Sequence, residues 1–248
     1  MNYPLFFDSK NSLNLYGLKE SFNFLSTLYN KKSLPKVLMF TGNKGSGKST
    51  LINHFLFSIF DKMNYNFENL ALNNDSSFLK QFKNNIFPNI ICFKGSDFKS
   101  VKIENIRNLK TIISKSNFLD KERFIIFDDV ELFNVNSLNA LLKIIEEPSK
   151  NNYFFLINNK SRPILETIKS RALEIKIILK ENQRLKIINN LIDSFRLDAI
   201  IDPQSSKLTP GNFVKFNFIC KENNIIPSED FRNNLSLLLN FYRKNKEI

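Results

Sequence analysis

Residues 42–50, GNKGSGKST, contain a glycine, four variable residues, a second glycine, a lysine and a serine. This is the pattern of a phosphate-binding loop. Its glycines let the backbone turn tightly enough for N–H groups to face phosphate oxygens, and the helix that follows adds its positive end. The stretch predicts binding of a nucleoside triphosphate, the alternative being a loop that keeps this shape without its affinity. The predicted contacts are Gly42, Asn43, Lys44, Gly45, Ser46, Gly47, Lys48, Ser49 and Thr50.

Polar residues end two later apolar runs. Asp128 and Asp129 close RFIIFDD, and Asn158 and Asn159 close NYFFLINN. In phosphate-loop proteins an acid at a strand end holds Mg²⁺, while the loop serine supplies a hydroxyl. We therefore expect Mg²⁺ to be held by Ser49 and Asp128 through the nucleotide, although strand-end acids also cap loops. Asn158 or Asn159 is expected to contact the terminal phosphate or orient water, with a plain turn-forming role as the alternative.

Two further candidate side chains, Arg171 and His54, lie outside these motifs. Arg171 lies in the stretch KSRA and is either a solvated cation or an arginine acting in trans on a neighbouring nucleotide site. Such an arginine contributes roughly 10³ to 10⁵ in rate. His54, the single histidine, follows the loop and has no nucleophilic serine or cysteine beside it. We interpret His54 as structural.

Short apolar runs alternate with amphipathic stretches over the first 178 residues, which predicts an α/β fold with a parallel sheet covered on both faces. After residue 178 only helical patterns follow. The predicted strands are 36–41, 89–93, 123–129, 152–158 and 172–177. The predicted helices are 18–29, one from the loop onward, one within the variable excursion 62–87, 101–116, 135–148 capped by Asn136 or Ser137, 162–171, 182–195 and 211–224.

Composition narrows the class of protein. The formal net charge is +12 and the pI about 9.6, which favours a polyanionic partner such as nucleic acid. An A/T-biased genome would also produce this Lys- and Asn-rich composition. Two distant cysteines predict neither a zinc site nor a disulfide framework. With no signal-like start and no apolar run near about 18 residues, we expect a cytoplasmic protein with no membrane partner.

Residues 136–157, NSLNALLKIIEEPSKNNYFFLI, are the most specific stretch of the chain. Together with the loop, the acid pair and KSRA, they resemble the AAA+ module of bacterial clamp-loader subunits, and among these the delta-prime subunit of DNA polymerase III. The resemblance runs from about residue 15 to 180. It implies a P-loop AAA+ domain over 1–178, a small helical lid over 179–218 and a short helical remnant of the collar domain over 219–248.

The resemblance also implies roles. Ser170, Arg171 and Ala172 match the family's serine-arginine-cysteine motif, whose arginine finger points into a neighbour's ATP site. The first sensor falls at Asn158 or Asn159, and Gly17 lies near the adenine. The implied cofactors are ATP and Mg²⁺. The implied partners are other clamp-loader subunits in a hetero-pentameric ring, a sliding clamp and, through the assembled complex, primed DNA.

The sequence departs from the family at several places. Asp129 stands where hydrolysing members have glutamate, and a shorter acid is poorly placed to polarise water. Val214, beside Lys215, stands at the second-sensor arginine. The four-cysteine zinc module is absent, and the collar is short or the chain truncated.

Two functions stay open after these departures. The first is a subunit of the DNA-directed DNA polymerase III holoenzyme, with weak or absent ATPase, that supplies Arg171 to a neighbour. The alternative is a self-sufficient, gamma/tau-like motor of the same loader. A small-molecule phosphotransferase is disfavoured, because the chain has few arginines to clamp phosphates.

Overall fold

The computed structural model describes residues 4, 7–95, 103–114, 122–148 and 151–225, with isolated positions between 233 and 243. The chain forms two compact units, Met1–Ile178 and Leu179–Ile248. In the described residues the strands are β1 (Val37–Thr41), β2 (Tyr65–Asn66), β3 (Ala71–Leu72), β4 (Ile90–Lys94), β5 (Arg123–Asp128), β6 (Asn152–Asn158) and β7 (Leu173–Lys176). The helices are α1 (Lys19–Asn30), α2 (Lys48–Phe60), α3 (Ser77–Lys83), α4 (Ile103–Ser114), α5 (Val135–Ile145), α6 (Glu166–Lys169), α7 (Glu181–Phe195) and α8 (Pro210–Glu222).

Five strands form one parallel sheet in the order β4-β5-β6-β1-β7. The central strands are apolar between their end residues, and every residue of β1 is buried. This is expected of a parallel sheet, which has helices on both faces and therefore no face for solvent. The order brings the carboxyl ends of β5, β6 and β1 side by side. The predicted parallel α/β architecture is confirmed.

The core lies in two layers against this sheet. On one face, fully buried Phe55 and Phe57 of α2 pack among other aromatic rings, Phe55 lying 6.0 Å from the ring centre of Phe155. On the other face, α4 and α5 close over Phe127 and Leu156. The strand ends are thereby fixed from both sides.

Several elements differ from the sequence predictions. The helix predicted over 162–171 is only α6, because residues 163–165 are not helical and the helix begins at Glu166, directly after Leu165 with its non-helical ψ of 133°. The cap of α5 is neither Asn136 nor Ser137. Instead Asn134, in extended conformation, accepts the Ser137 N–H at 2.8 Å. The excursion 62–87 holds the antiparallel pair β2–β3 as well as α3.

Two predicted segments reach beyond the described residues. Positions 101–102 and 115–116 of the predicted helix 101–116 lie outside them, as do most residues after 225. In the second unit, α8 runs without a break through the predicted lid boundary at residue 218. A separate collar remnant over 219–248 stays a prediction.

The second unit packs α7 against α8. Buried Arg184 of α7 donates to Glu181 and to the carbonyls of Pro203 and Leu208, which ties the connecting loop to the helix. Within the described part of the chain, no helix is both long and apolar enough to cross a membrane.

Candidate functional site

The phosphate loop joins the end of β1 to the start of α2. Gly45 (φ 83°) and Gly47 (φ 92°) adopt left-handed conformations that suit glycine. Gly42 is required for another reason, since a Cβ there would lie 2.5 Å from the carbonyl oxygen of Ile177. Its N–H donates to the carbonyl of Asn158 at 3.2 Å. The loop is therefore fixed between β6 and the chain that follows β7.

Lys48 is buried at the base of this loop. Its ammonium donates to the carbonyls of Gly42 (2.7 Å) and Asn43 (2.9 Å). Burial lowers the pKa of Lys48 to about 8, against the opposing pull of nearby acids, chiefly Asp128. The group is therefore still mostly a cation at neutral pH, at the position where the loop pattern expects phosphate oxygens.

Ser49 and Asp128 meet at the adjoining strand end. The Ser49 hydroxyl donates to Asp128 Oδ2 at 3.2 Å, and Asp128 Oδ1 accepts the Asp129 N–H at 2.9 Å. Burial, and after it the charge of Asp129, raises the pKa of Asp128. A hydroxyl beside a carboxylate is an oxygen ligand set that suits Mg²⁺. The described residues hold no group of three or more His, Cys, Asp or Glu that would form a metal site independent of a nucleotide.

Asp129 is buried and is held by two other side chains. Its Oδ1 accepts from the amide of Asn159 (2.7 Å) and from the ammonium of Lys44 (3.3 Å). Its own backbone is left-handed, with φ 52°. Asn158 makes different contacts, because its side-chain oxygen accepts the Lys160 N–H at 2.9 Å. Asn159 is thus the asparagine whose side chain is bonded to the acid pair.

The start of α1 lies against the phosphate loop. A Cβ built on Gly47 would lie 3.0 Å from Cδ1 of Leu18. Gly17 directly precedes Leu18 and is left-handed, with φ 70°. The structure therefore brings the segment around Gly17 to the loop, together with the predicted residues at the ends of β5 and β6.

Arg171 makes its contacts elsewhere, just after α6. One terminal nitrogen, Nη1, donates to the carbonyl of Thr167 at 2.9 Å and lies 3.4 Å from the Ser170 hydroxyl. The other, Nη2, forms an ion pair with Glu146 Oε1 at 2.7 Å. The side chain keeps 36% of its accessible surface, so it is available to another molecule.

Sequence reasoning missed two acids. Buried Glu131 accepts the Ser161 hydroxyl at 2.8 Å, and its charge helps to hold the Lys48 proton. Its signal was the run DDVE, with three acids in four residues. Glu146, the partner of Arg171, lies 25 residues upstream of it, so the pairing had no signal in local spacing.

His54, Val214 and Lys215 are the remaining positions that the sequence singled out. His54 is fully buried, with Nε2 3.1 Å from the Ser12 carbonyl and Nδ1 3.0 Å from the Tyr65 hydroxyl. Because a carbonyl only accepts, Nε2 carries the proton and the tyrosine donates to Nδ1. The structural interpretation of His54 is confirmed. Within the second unit Val214 is buried and Lys215 exposed.

The family profile described as DNA polymerase III, delta subunit, matches residues 17–181, more than half of the chain. The chain belongs to this family. The DNA polymerase III subunit delta' of Pseudomonas aeruginosa is 33% identical over 76 residues, which are 31% of this chain and 23% of that protein. The DNA polymerase III subunit gamma of Buchnera aphidicola subsp. Schizaphis graminum is 30% identical over 92 residues, 37% of this chain and 25% of that protein. The matches thus span about a quarter of these curated relatives.

A solved structure extends the comparison to the fold. The Thermotoga maritima RuvB Holliday junction branch migration motor is 14% identical and superposes with a TM-score of 0.54. The match covers 87% of this clamp-loader family chain and 66% of the motor. At this identity the likeness concerns the fold alone, and it confirms the predicted AAA+ P-loop architecture.

Proposed function

We propose that this clamp-loader family chain is a delta-prime-like subunit. It binds ATP with Mg²⁺ weakly or without productive turnover, and it supplies Arg171 in trans to the ATP site of a neighbouring subunit. The observation that carries the proposal is that Asp129 and Arg171 differ in how accessible they are to a reacting group. The acid needed for hydrolysis, Asp129, is buried and bonded on one oxygen by two side chains, whereas Arg171 is exposed with donors to spare.

ATP would be held by the phosphate loop. The N–H groups of residues 42–50 and the ammonium of Lys48 supply donors for the phosphates, and Ser49 with Asp128 supplies oxygens for Mg²⁺. These residues fit ATP and Mg²⁺, because Lys48 keeps its positive charge and the Ser49 hydroxyl lies next to the Asp128 carboxylate. Gly17 and the adjoining start of α1 would border the adenine.

Hydrolysis in this site would be slow. A water-activating acid must approach the terminal phosphate closely and in a fixed direction. Asp129 is one methylene shorter than glutamate, and its bonds to Asn159 and Lys44 hold its carboxylate in place. Either asparagine at the end of β6 could sense the phosphate. The Asn159 amide, however, would first have to leave Asp129.

The assembly follows from the family and the charge. We propose that the chain works in the cytoplasm within a hetero-pentameric ring of clamp-loader subunits, which places a sliding clamp on primed DNA. A net charge of +12 would favour the approach of the ring to DNA.

The test is ATP hydrolysis by the ring reconstituted with its other subunits, clamp and primed DNA. Replacing Arg171 by alanine should lower turnover by roughly 10³-fold or more, while size-exclusion chromatography shows an intact ring. Arg162→Ala is the matched control, since Arg162 is also an exposed arginine of the first unit. Turnover within a few-fold of the unmodified ring would refute the trans role.

A second candidate is a gamma-like motor, favoured by the intact arrangement of Lys48, Ser49 and Asp128. It predicts ATP turnover by the purified chain alone that is abolished by Lys48→Ala. Absence of such turnover, with Arg171-dependent turnover in the ring, would favour the delta-prime-like role.

A further inference from the structure

Glu146 connects the exposed arginine to the core of the first unit. It directly follows α5, whose last turns are fixed by buried Leu141 and Ile145. Arg171 directly follows α6, which is fixed by fully buried Ile168. The ion pair between Glu146 Oε1 and Arg171 Nη2 therefore joins the ends of two anchored helices.

The guanidinium of Arg171 is held by three neighbouring residues and still keeps some of its N–H donors free. Of its five N–H groups, one or two on Nη1 are used by Thr167 and Ser170, and we count one more on Nη2 for the ion pair with Glu146. At least two therefore remain, which is the number that a forked contact with a phosphate requires. The arrangement restricts the side chain without exhausting its donors.

From this geometry we infer that Glu146 is a positioning residue, which sets the direction of Arg171 before a neighbouring subunit arrives. The inference rests on the proposed trans role of Arg171. A long, flexible side chain that is already oriented loses less freedom when it meets a phosphate, so more of the contact is available to the reaction. Glu146 does not itself touch the neighbour's nucleotide.

A stabilising role does not account for the pair. Both partners are partly exposed, with 36% and 44% of their side-chain surfaces accessible, and exposed ion pairs add little to stability. Removal of Glu146 should therefore change the reaction of the ring more than the folding of the chain.

The experiment compares Glu146→Ala with Glu147→Ala in the reconstituted ring. The two glutamates are adjacent and both exposed at the end of α5, and the ion pair belongs to Glu146. We expect Glu146→Ala to lower kcat for ATP by about tenfold with little change in KM. Glu147→Ala should leave both constants unchanged.

A double variant separates positioning from a general structural effect. If Glu146 acts through Arg171, Glu146→Ala combined with Arg171→Ala should be no slower than Arg171→Ala alone. Equal effects of the two glutamate variants, an unchanged kcat in Glu146→Ala, or additive losses in the double variant would each overturn the inference. If Arg171→Ala itself has no effect, the proposed function fails, which is a distinguishable result.

Discussion

Two regions of the first unit are built in opposite ways. One is the phosphate loop, and the other is the surface region formed by Arg171 and its partners Glu146, Thr167 and Ser170, here called the Arg171 edge. In the loop, Gly42 and Ser49 are bonded to residues at the ends of neighbouring strands, Lys48 is bonded to carbonyls of the loop itself, and most of their surface is hidden. At the edge, Arg171 rests on one carbonyl, one hydroxyl and one partly exposed acid. The base of the loop is thus buried, whereas the arginine lies on the surface.

Because the two regions are held by different contacts, substitutions in them should have different effects. Substitutions in the loop should affect folding and ligand binding together, because the same backbone serves both. Substitutions at the edge should affect only a function that needs a second subunit. A motif that looks complete can therefore owe its form to packing, and an unremarkable surface arginine can carry the activity.

The largest effect within the chain itself is expected at Lys48. Lys48→Ala should weaken ATP binding by the isolated chain by about 10²-fold, because a charge-assisted hydrogen bond to phosphate contributes about 1.5–3 kcal/mol. Isothermal titration calorimetry with ATP and Mg²⁺ measures this. Lys62→Ala, an exposed lysine just after α2, is the control. Equal affinity in Lys48→Ala and the unmodified chain would mean that the loop does not grip phosphate.

A smaller effect, on stability, should distinguish the two regions. Gly42→Ala should lower the free energy of unfolding by about 1–3 kcal/mol, because the added methyl meets the Ile177 carbonyl oxygen. Arg171→Ala should change it by less than about 0.5 kcal/mol.

Urea unfolding followed by circular dichroism compares these variants. Gly211→Ala, inside α8, is a suitable control, since alanine favours a helix. If Arg171→Ala destabilises the chain as much as Gly42→Ala does, the contrast between core and edge is wrong.

The smallest effect concerns pH and helix α2. Burial lowers the pKa of His54 to about 4, below the value near 6.5 of an unfolded chain. Above pH 6.5 both states are neutral, and below it the unfolded chain binds a proton that the folded chain excludes. Stability is therefore lost as pH falls from 6.5 towards 4, by about 1 kcal/mol at pH 5.5.

Unfolding midpoints in urea at pH 7 and 5.5 check this value. Since His54 is the single histidine, His54→Gln should remove most of the dependence in this window. A variant with an unchanged slope would assign the effect to other groups.

Much of the fold could be predicted because its signals are local. Four of the five sheet strands are short, mainly apolar runs, β7 being the exception, and the predicted strand 36–41 and the observed β1 differ by one residue. The ends of these strands then place Asp128, Asp129 and the two asparagines at one edge of the sheet, since parallel strands share a direction. The phosphate loop was predictable for the same reason, because its pattern is contiguous.

The rest depends on distant partners. The bond of Asn159 to Asp129 spans 30 residues, and the pairing of Arg171 with Glu146 depends on how α5 and α6 pack. Residues 163–165 are not helical and α6 begins only at Glu166, although the sequence pattern is compatible with an earlier start. The cap at Asn134 depends on the conformation of the preceding turn. None of these follows from periodicity.

The contact between Gly42 and Ile177 bears on how sequence motifs are used. The first glycine of the loop is required by the chain that passes it after β7, whether or not a nucleotide is ever cleaved. A pattern search that scores this position would therefore count a packing requirement as evidence of catalysis. In ring assemblies that contain inactive members, the signature of an ATPase can outlast the ATPase itself.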